Sequence, residues 1–181
     1  MTEQAKQPEP VPGGAFMITE EIRAKFRARE RGRYRIDLSH WQNGVLYSTD
    51  GRILLCEPTP EGVPAEGDWP SPAGVLQAAG FPEALGRGPW ASTRLPGPVD
   101  EPWQPHRASL IVRATPWWWL ESVVSWTINQ LPGLAWQVAE NNGLHVLRFK
   151  AAGGAYGFTH CIEPYKSARE SDFWHPEAAR G

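Results

Sequence analysis

A chain of 181 residues with a formal net charge of −2 suffices for one domain with some surplus, and any polyanion-binding patch on it has to be local. Apolar content of 41% fits a folded protein, while 18 prolines and 18 glycines exceed what packed elements use and mark a long irregular segment. No window approaches about eighteen unbroken apolar residues, the N-terminus MTEQAKQPEPVPGG has no hydrophobic signal core, and two cysteines make no disulfide framework, so the expectation is a reduced cytoplasmic protein without a membrane span.

Residues 1–15 read as a disordered tail, and 15–18 as a short strand. Thr19 is a candidate N-cap for a helix over residues 19–31, with Glu20 and Glu21 in its first turn and Gly32 as its stop. Ile22 and Phe26 share one face of that helix. Arg23, Lys25, Arg27, Arg29 and Arg31 alternate along it, and a spacing of two advances about 200° per step, so the charges spread around the axis. Two readings stay open: a solvated helix partnered by Glu20, Glu21 and Glu30, or a surface for phosphates.

Residues 33–38, 45–49 and 52–57 read as strands joined by turns at Asn43-Gly44 and Asp50-Gly51, dipeptides that accept the positive φ of a tight hairpin. Residues 59–105 follow as a proline- and glycine-rich connection with a short helix at 73–79. Trp69, Trp90 and Trp103 in this connection must pin it to something apolar, on this chain or on a partner. Residues 107–114 read as a strand, and Pro116 opens a helix predicted over 117–131. Trp117, Leu120, Val124, Ile128 and Leu131 give that helix a core face. The tryptophans beside that face, Trp118 among them, serve packing or a partner platform. Strands over 135–140, 144–151 and 155–163 complete the order, with turns at 141–143 and Gly153-Gly154, and 166–181 is a polar tail.

The two halves, 16–58 and 106–165, thus repeat one pattern: a short strand, a helix, then three strands. Their last strands end alike, LLCEP at 54–58 and HCIEP at 160–164. This predicts a single α+β domain over 16–165, built of two similar β-α-β-β-β halves with antiparallel sheets and two helices on one face.

Residues 34–38, Gly44-Val45-Leu46 and Ser48-Thr49-Asp50-Gly51-Arg52-Ile53-Leu54, with 146–149 and 157–164 at the far end, are similar to strands of the bacterial and phage DNA sliding clamps, the DNA polymerase III β-subunit family. The resemblance implies a clamp-type domain whose helices line a channel and touch duplex backbone without reading sequence. It implies Arg23, Lys25, Arg27, Arg29 and Arg31 as phosphate contacts, and about six copies in a closed ring. The second helix departs from this picture, carrying Glu121 and no basic residue. A diverged clamp fold working as a binding module is the equal alternative.

A rival resemblance lies in Ile36-Asp37-Leu38-Ser39-His40-Trp41-Gln42, which looks like the opening strand of muramidase-type glycoside hydrolases. The carboxylate pair and the alternating barrel pattern that such an enzyme needs are missing from the sequence. His40, His145, His160, Cys56 and Cys161 show no zinc-ligand spacing, and Ser39, His40 and Asp37 lack a nucleophile elbow. No cofactor and no metal site is predicted. The reading is therefore a non-enzymatic, clamp-like DNA-binding protein. Its rival is a protein-interaction module, an inhibitor or assembly factor, anchored by Trp69, Trp90, Trp103 and Trp118.

Overall fold

The computed structural model describes residues 17–59, 61–62, 68–78, 85–101, 108–112, 118–141, 143–161 and 173–174. In chain order the elements are α1 (Glu20–Ala24), β1 (His40–Gln42), β2 (Val45–Thr49), β3 (Ile53–Pro58), α2 (Pro72–Ala78), β4 (Leu85–Ala91), β5 (Ala108–Val112), β6 (Trp118–Glu121), α3 (Ser122–Ile128), β7 (Ala135–Asn141), β8 (Leu144–Lys150), β9 (Tyr156–His160) and β10 (Phe173–Trp174). The fold is α+β. A seven-stranded antiparallel sheet runs in the order β1-β2-β3-β9-β8-β7-β4, beside a three-stranded sheet ordered β10-β5-β6.

The sequence of elements α-β-β-β occurs twice, as α1-β1-β2-β3 and α3-β7-β8-β9, and the two meanders meet where β3 pairs with β9. LLCEP lies wholly within β3, whereas β9 stops at His160, the first residue of HCIEP.

Strand alternation divides the core in two. On one face Ile53 and Leu55, Val138, and Leu147 and Phe149 pack against Ile22, Phe26, Val124 and Ile128, so α1 and α3 cover the same side. On the other, Tyr47, Leu54, Cys56, Val146 and Phe158 lie under Trp69, Val75 and Leu76 of the segment that holds α2. Gly157, at the seam, has no space for a side chain: a Cβ there would stand 2.0 Å from the Leu54 carbonyl and 2.5 Å from the Phe149 ring.

Several expectations are corrected. The helix expected over 19–31 keeps its Thr19 cap, whose Oγ1 accepts from Ile22 N, but its helical stretch ends at Ala24. Phe26 turns fully inward, and Ala28 N donates to Ile36 O rather than continuing the helical ladder. Residues 33–38 alternate as a strand would but pair with no strand among the described residues. Arg35 N donates to Asp68 O and Leu38 N to Arg35 O, which makes turns, and pairing starts only at His40. The helix expected over 117–131 begins at Ser122, because Trp118–Glu121 pairs with β5 as a strand and bulky aromatics suit that state.

The connection over 59–105 is not wholly irregular. It supplies α2 and the edge strand β4, whose Pro89 falls inside a register shift between Arg87 and Ala91, where a missing N–H is tolerated. The polar tail also holds β10, paired parallel to β5. Expectations for residues 1–16 and for Trp103 lie outside the described residues. The Asn43-Gly44 turn is as predicted, with φ of 51° and 80°.

Candidate functional site

The cations of the α1 region separate into two kinds. Arg23 faces inward from α1, and its Nε and Nη2 donate to the two Glu57 oxygens at 2.7 and 2.9 Å, while Nη1 reaches Glu20 at 2.7 Å. Its side chain is only 19% exposed, and Glu57 raises its pKa further above the ordinary arginine value. Arg23 is therefore a strut between helix and sheet. Arg27 pairs with Glu20, Lys25 with Glu21 at 3.3 Å, and Arg29 with Glu101. The Arg29 side chain is 83% exposed, and Arg31 is exposed too.

Lys25, Arg27 and Arg29 line a cleft of about 600 Å³ between the loop after α1 and the flank of α3, and Arg52 joins them from the β2–β3 turn. The Asp50 carboxylate accepts the backbone N–H groups of Arg52 and Ile53 at 2.8 and 3.0 Å, which fixes that turn. Its other oxygen takes Arg52 Nε at 3.1 Å, and Arg52 Nη1 reaches Glu121 at 2.6 Å. Glu30, Asp50 and Glu101 also line the cleft, so its charge is mixed, and Val123, Val124 and Trp126 give it an apolar wall. Lys25 Nζ lies 5.7 Å from the Trp126 ring centroid. Arg52 had no signal in the sequence beyond its place after a Thr-Asp-Gly turn.

Three of the described tryptophans hold loops to the sheet. Trp41 Nε1 donates to Thr59 O, Trp69 Nε1 to Leu38 O and Trp136 Nε1 to Thr93 O. Trp69 also stacks on His40 at 5.3 Å, so this predicted partner anchor packs against its own chain. The Asn129 side chain clasps both backbone groups of Leu95, which is buried in the core. Trp90 differs: its ring stands 4.2 Å from Lys150 Nζ and 5.7 Å from Arg148 Cζ, both on β8. Trp118 opens β6. The structure thus joins Trp90 to two basic residues the sequence had not linked to it.

Asp37, the acid of the muramidase-like stretch, pairs with Arg35 at 3.1 Å, and that guanidinium holds its carboxyl below the usual range. Among the described residues no three His, Cys, Asp or Glu side chains gather as a metal site, and no helix is long and apolar enough to cross a membrane. Burial pushes the thiols of Cys56 and Cys161 up to about 12. Comparison with protein-family models, with curated proteins and with solved structures finds no match for this chain.

Proposed function

We propose that this chain is a non-enzymatic DNA-binding protein, akin in role to the sliding clamps, which holds duplex phosphates along the cleft between the α1 loop and α3. The observation that carries this reading is the convergence of Lys25, Arg27, Arg29 and Arg52 on one opening. Their carboxylate partners do not preclude phosphate contact. Exposed pairs such as Arg29–Glu101 contribute only about 0–1 kcal/mol, so a polyanion can displace the carboxylate. Arg23 belongs to the scaffold, and Lys25 and Arg27, 24% and 19% exposed, are hardly more open, so exposed Arg29, Arg31 and Arg52 are the principal contacts. The buried α3, with no basic residue, offers no second channel lining, so the reading favours a binding module over an unaided ring.

The test is a salt titration of duplex binding. Arg29→Glu combined with Arg31→Glu is expected to weaken binding at low salt and to lower the slope of log K against log salt by about two, one for each lost phosphate contact. An unchanged slope would return both residues to ordinary solvated surface. Light scattering adds the copy number, and a closed assembly of about six chains would restore the ring.

The second reading, a protein-interaction module, is favoured by Trp90, the predicted anchor that the fold sets beside exposed Lys150 rather than in a loop clasp.

A further inference from the structure

Alternation sorts charge between the two faces of the large sheet. Its strand carboxylates are Glu57 of β3 and Glu140 of β7. Glu57 keeps step with Ile53 and Leu55, and Glu140 with Val138, so both belong to the α1–α3 face. Arg148 and Lys150 keep step with Val146 on the opposite face. There, among the described residues, Trp69, Val75 and Leu76 of the segment bearing α2 pack with residues of β2, β3 and β9 and with Val146 of β8. Across β7 this part of the face carries Ala135, Gln137 and Ala139, so no bulky apolar ridge rises between Trp90 and the β8 cations.

The rings fall on both sides of those cations. Trp90 lies to one side, from the edge strand β4. On the other, the register sets half-buried Tyr156 opposite Lys150 and exposed His160 opposite Val146, while Phe158, opposite Arg148, is buried beneath the α2 cover. His160 is exposed and meets Phe158 edge-on at 5.8 Å. From β4 across β7 and β8 to the edge of β9, this strip thus sets Lys150 and Arg148 among the Trp90, Tyr156 and His160 rings and has no strand carboxylate.

We propose that this strip is a platform for single-stranded nucleic acid. Unpaired bases present π-faces that stack on side-chain rings, and the adjoining phosphates take the charge of exposed Lys150; both contacts are indifferent to sequence. A duplex keeps its base faces buried in its own stack, and an acidic peptide would use the cations but not the rings. The platform lies on the face away from the α1–α3 cleft and does not depend on the duplex reading.

The experiment is fluorescence anisotropy of a labelled oligo-dT strand with the full chain at low salt. A duplex of equal length and a poly-glutamate peptide serve as competitors. Oligo-dT is expected to bind, with affinity falling as salt rises. Trp90→Ala should weaken it about 5- to 100-fold, the effect of losing one stacked base, while Trp90→Phe retains most of it. Lys150→Glu, at an exposed position, should weaken it as well, and Arg29→Glu should leave it unchanged. No binding by the wild type overturns the proposal, as does binding indifferent to both Trp90→Ala and Lys150→Glu. Displacement by poly-glutamate in preference to nucleic acid would make the strip a protein-docking surface instead. Loss of duplex binding alone in Arg29→Glu bears only on the cleft.

Discussion

The two faces of the seven-stranded sheet handle charge in opposite ways. On the α1–α3 face basic residues act within the fold: Arg23 ties the helix to Glu57, and Lys25, Arg27, Arg29 and Arg52 each have a carboxylate of this chain within 4.0 Å. On the α2 face the cations Arg148 and Lys150 stand beside an indole. The difference teaches that a run of basic residues in sequence is a poor guide to a free basic surface. Arg23 is one of the most conspicuous cations in the chain, and the structure makes it a strut.

The comparison breaks most visibly at the ring that anchors α1. Phe26 is fully buried, 6.3 Å from the Phe149 ring. Phe26→Ala should destabilise by about 3–5 kcal/mol, read as a lower urea midpoint at unchanged m. Trp69→Ala, on the half-buried cover of the other face, should cost about 1–3 kcal/mol. Equal losses would mean that the α2 segment is as integral to the core as α1. A smaller contrast separates strut from rim. Arg23→Ala leaves Glu57, itself only 12% exposed, without its bidentate partner, and should cost about 2–4 kcal/mol. Arg29→Ala should change stability by less than about 0.5 kcal/mol.

What the sequence made legible was local. Asn43-Gly44 announced its hairpin because the turn chemistry resides in those two residues, and Thr19 announced a helix start for the same reason. Residues 33–38 misled because alternation shows that a strand is possible, not that a partner strand is present. The tryptophan run ahead of Ser122 fits a helix face and a strand equally, and pairing with β5 decided it. The edge strand β4 was hidden by Pro89, which only an edge with a register shift accommodates. The site followed the same rule. The Arg23–Glu57 pair spans 34 positions, and the meeting of Trp90 with Lys150 depends on β4 pairing with β7 and β7 with β8. No local pattern carries either contact.

The smallest expected effect tests whether the α2 cover responds to pH. His40 sits against the Trp69 ring, and burial lowers its pKa below the ordinary histidine value. With the folded pKa below the unfolded one, the unfolded chain binds more protons across that interval. Stability is therefore complete above about pH 6.5, the unfolded value, and declines as pH falls from there through the folded pKa, below which the loss stops growing. Asp37 has its carboxyl lowered by Arg35, so its contribution is lost only in the carboxylate range, at more acidic pH. His40→Gln should flatten the stability profile between about pH 5 and 7 relative to wild type. A positive imidazolium on the Trp69 face would partly offset its own desolvation through cation–π attraction, so the slope removed should be shallow. A profile unaffected by the substitution would mean that protonation of His40 does not bear on the α2 cover. It would leave the α2 cover held by Val75, Leu76 and Trp69 packing and by the hydrogen bonds of Trp69 to Leu38 and of Arg35 to Asp68.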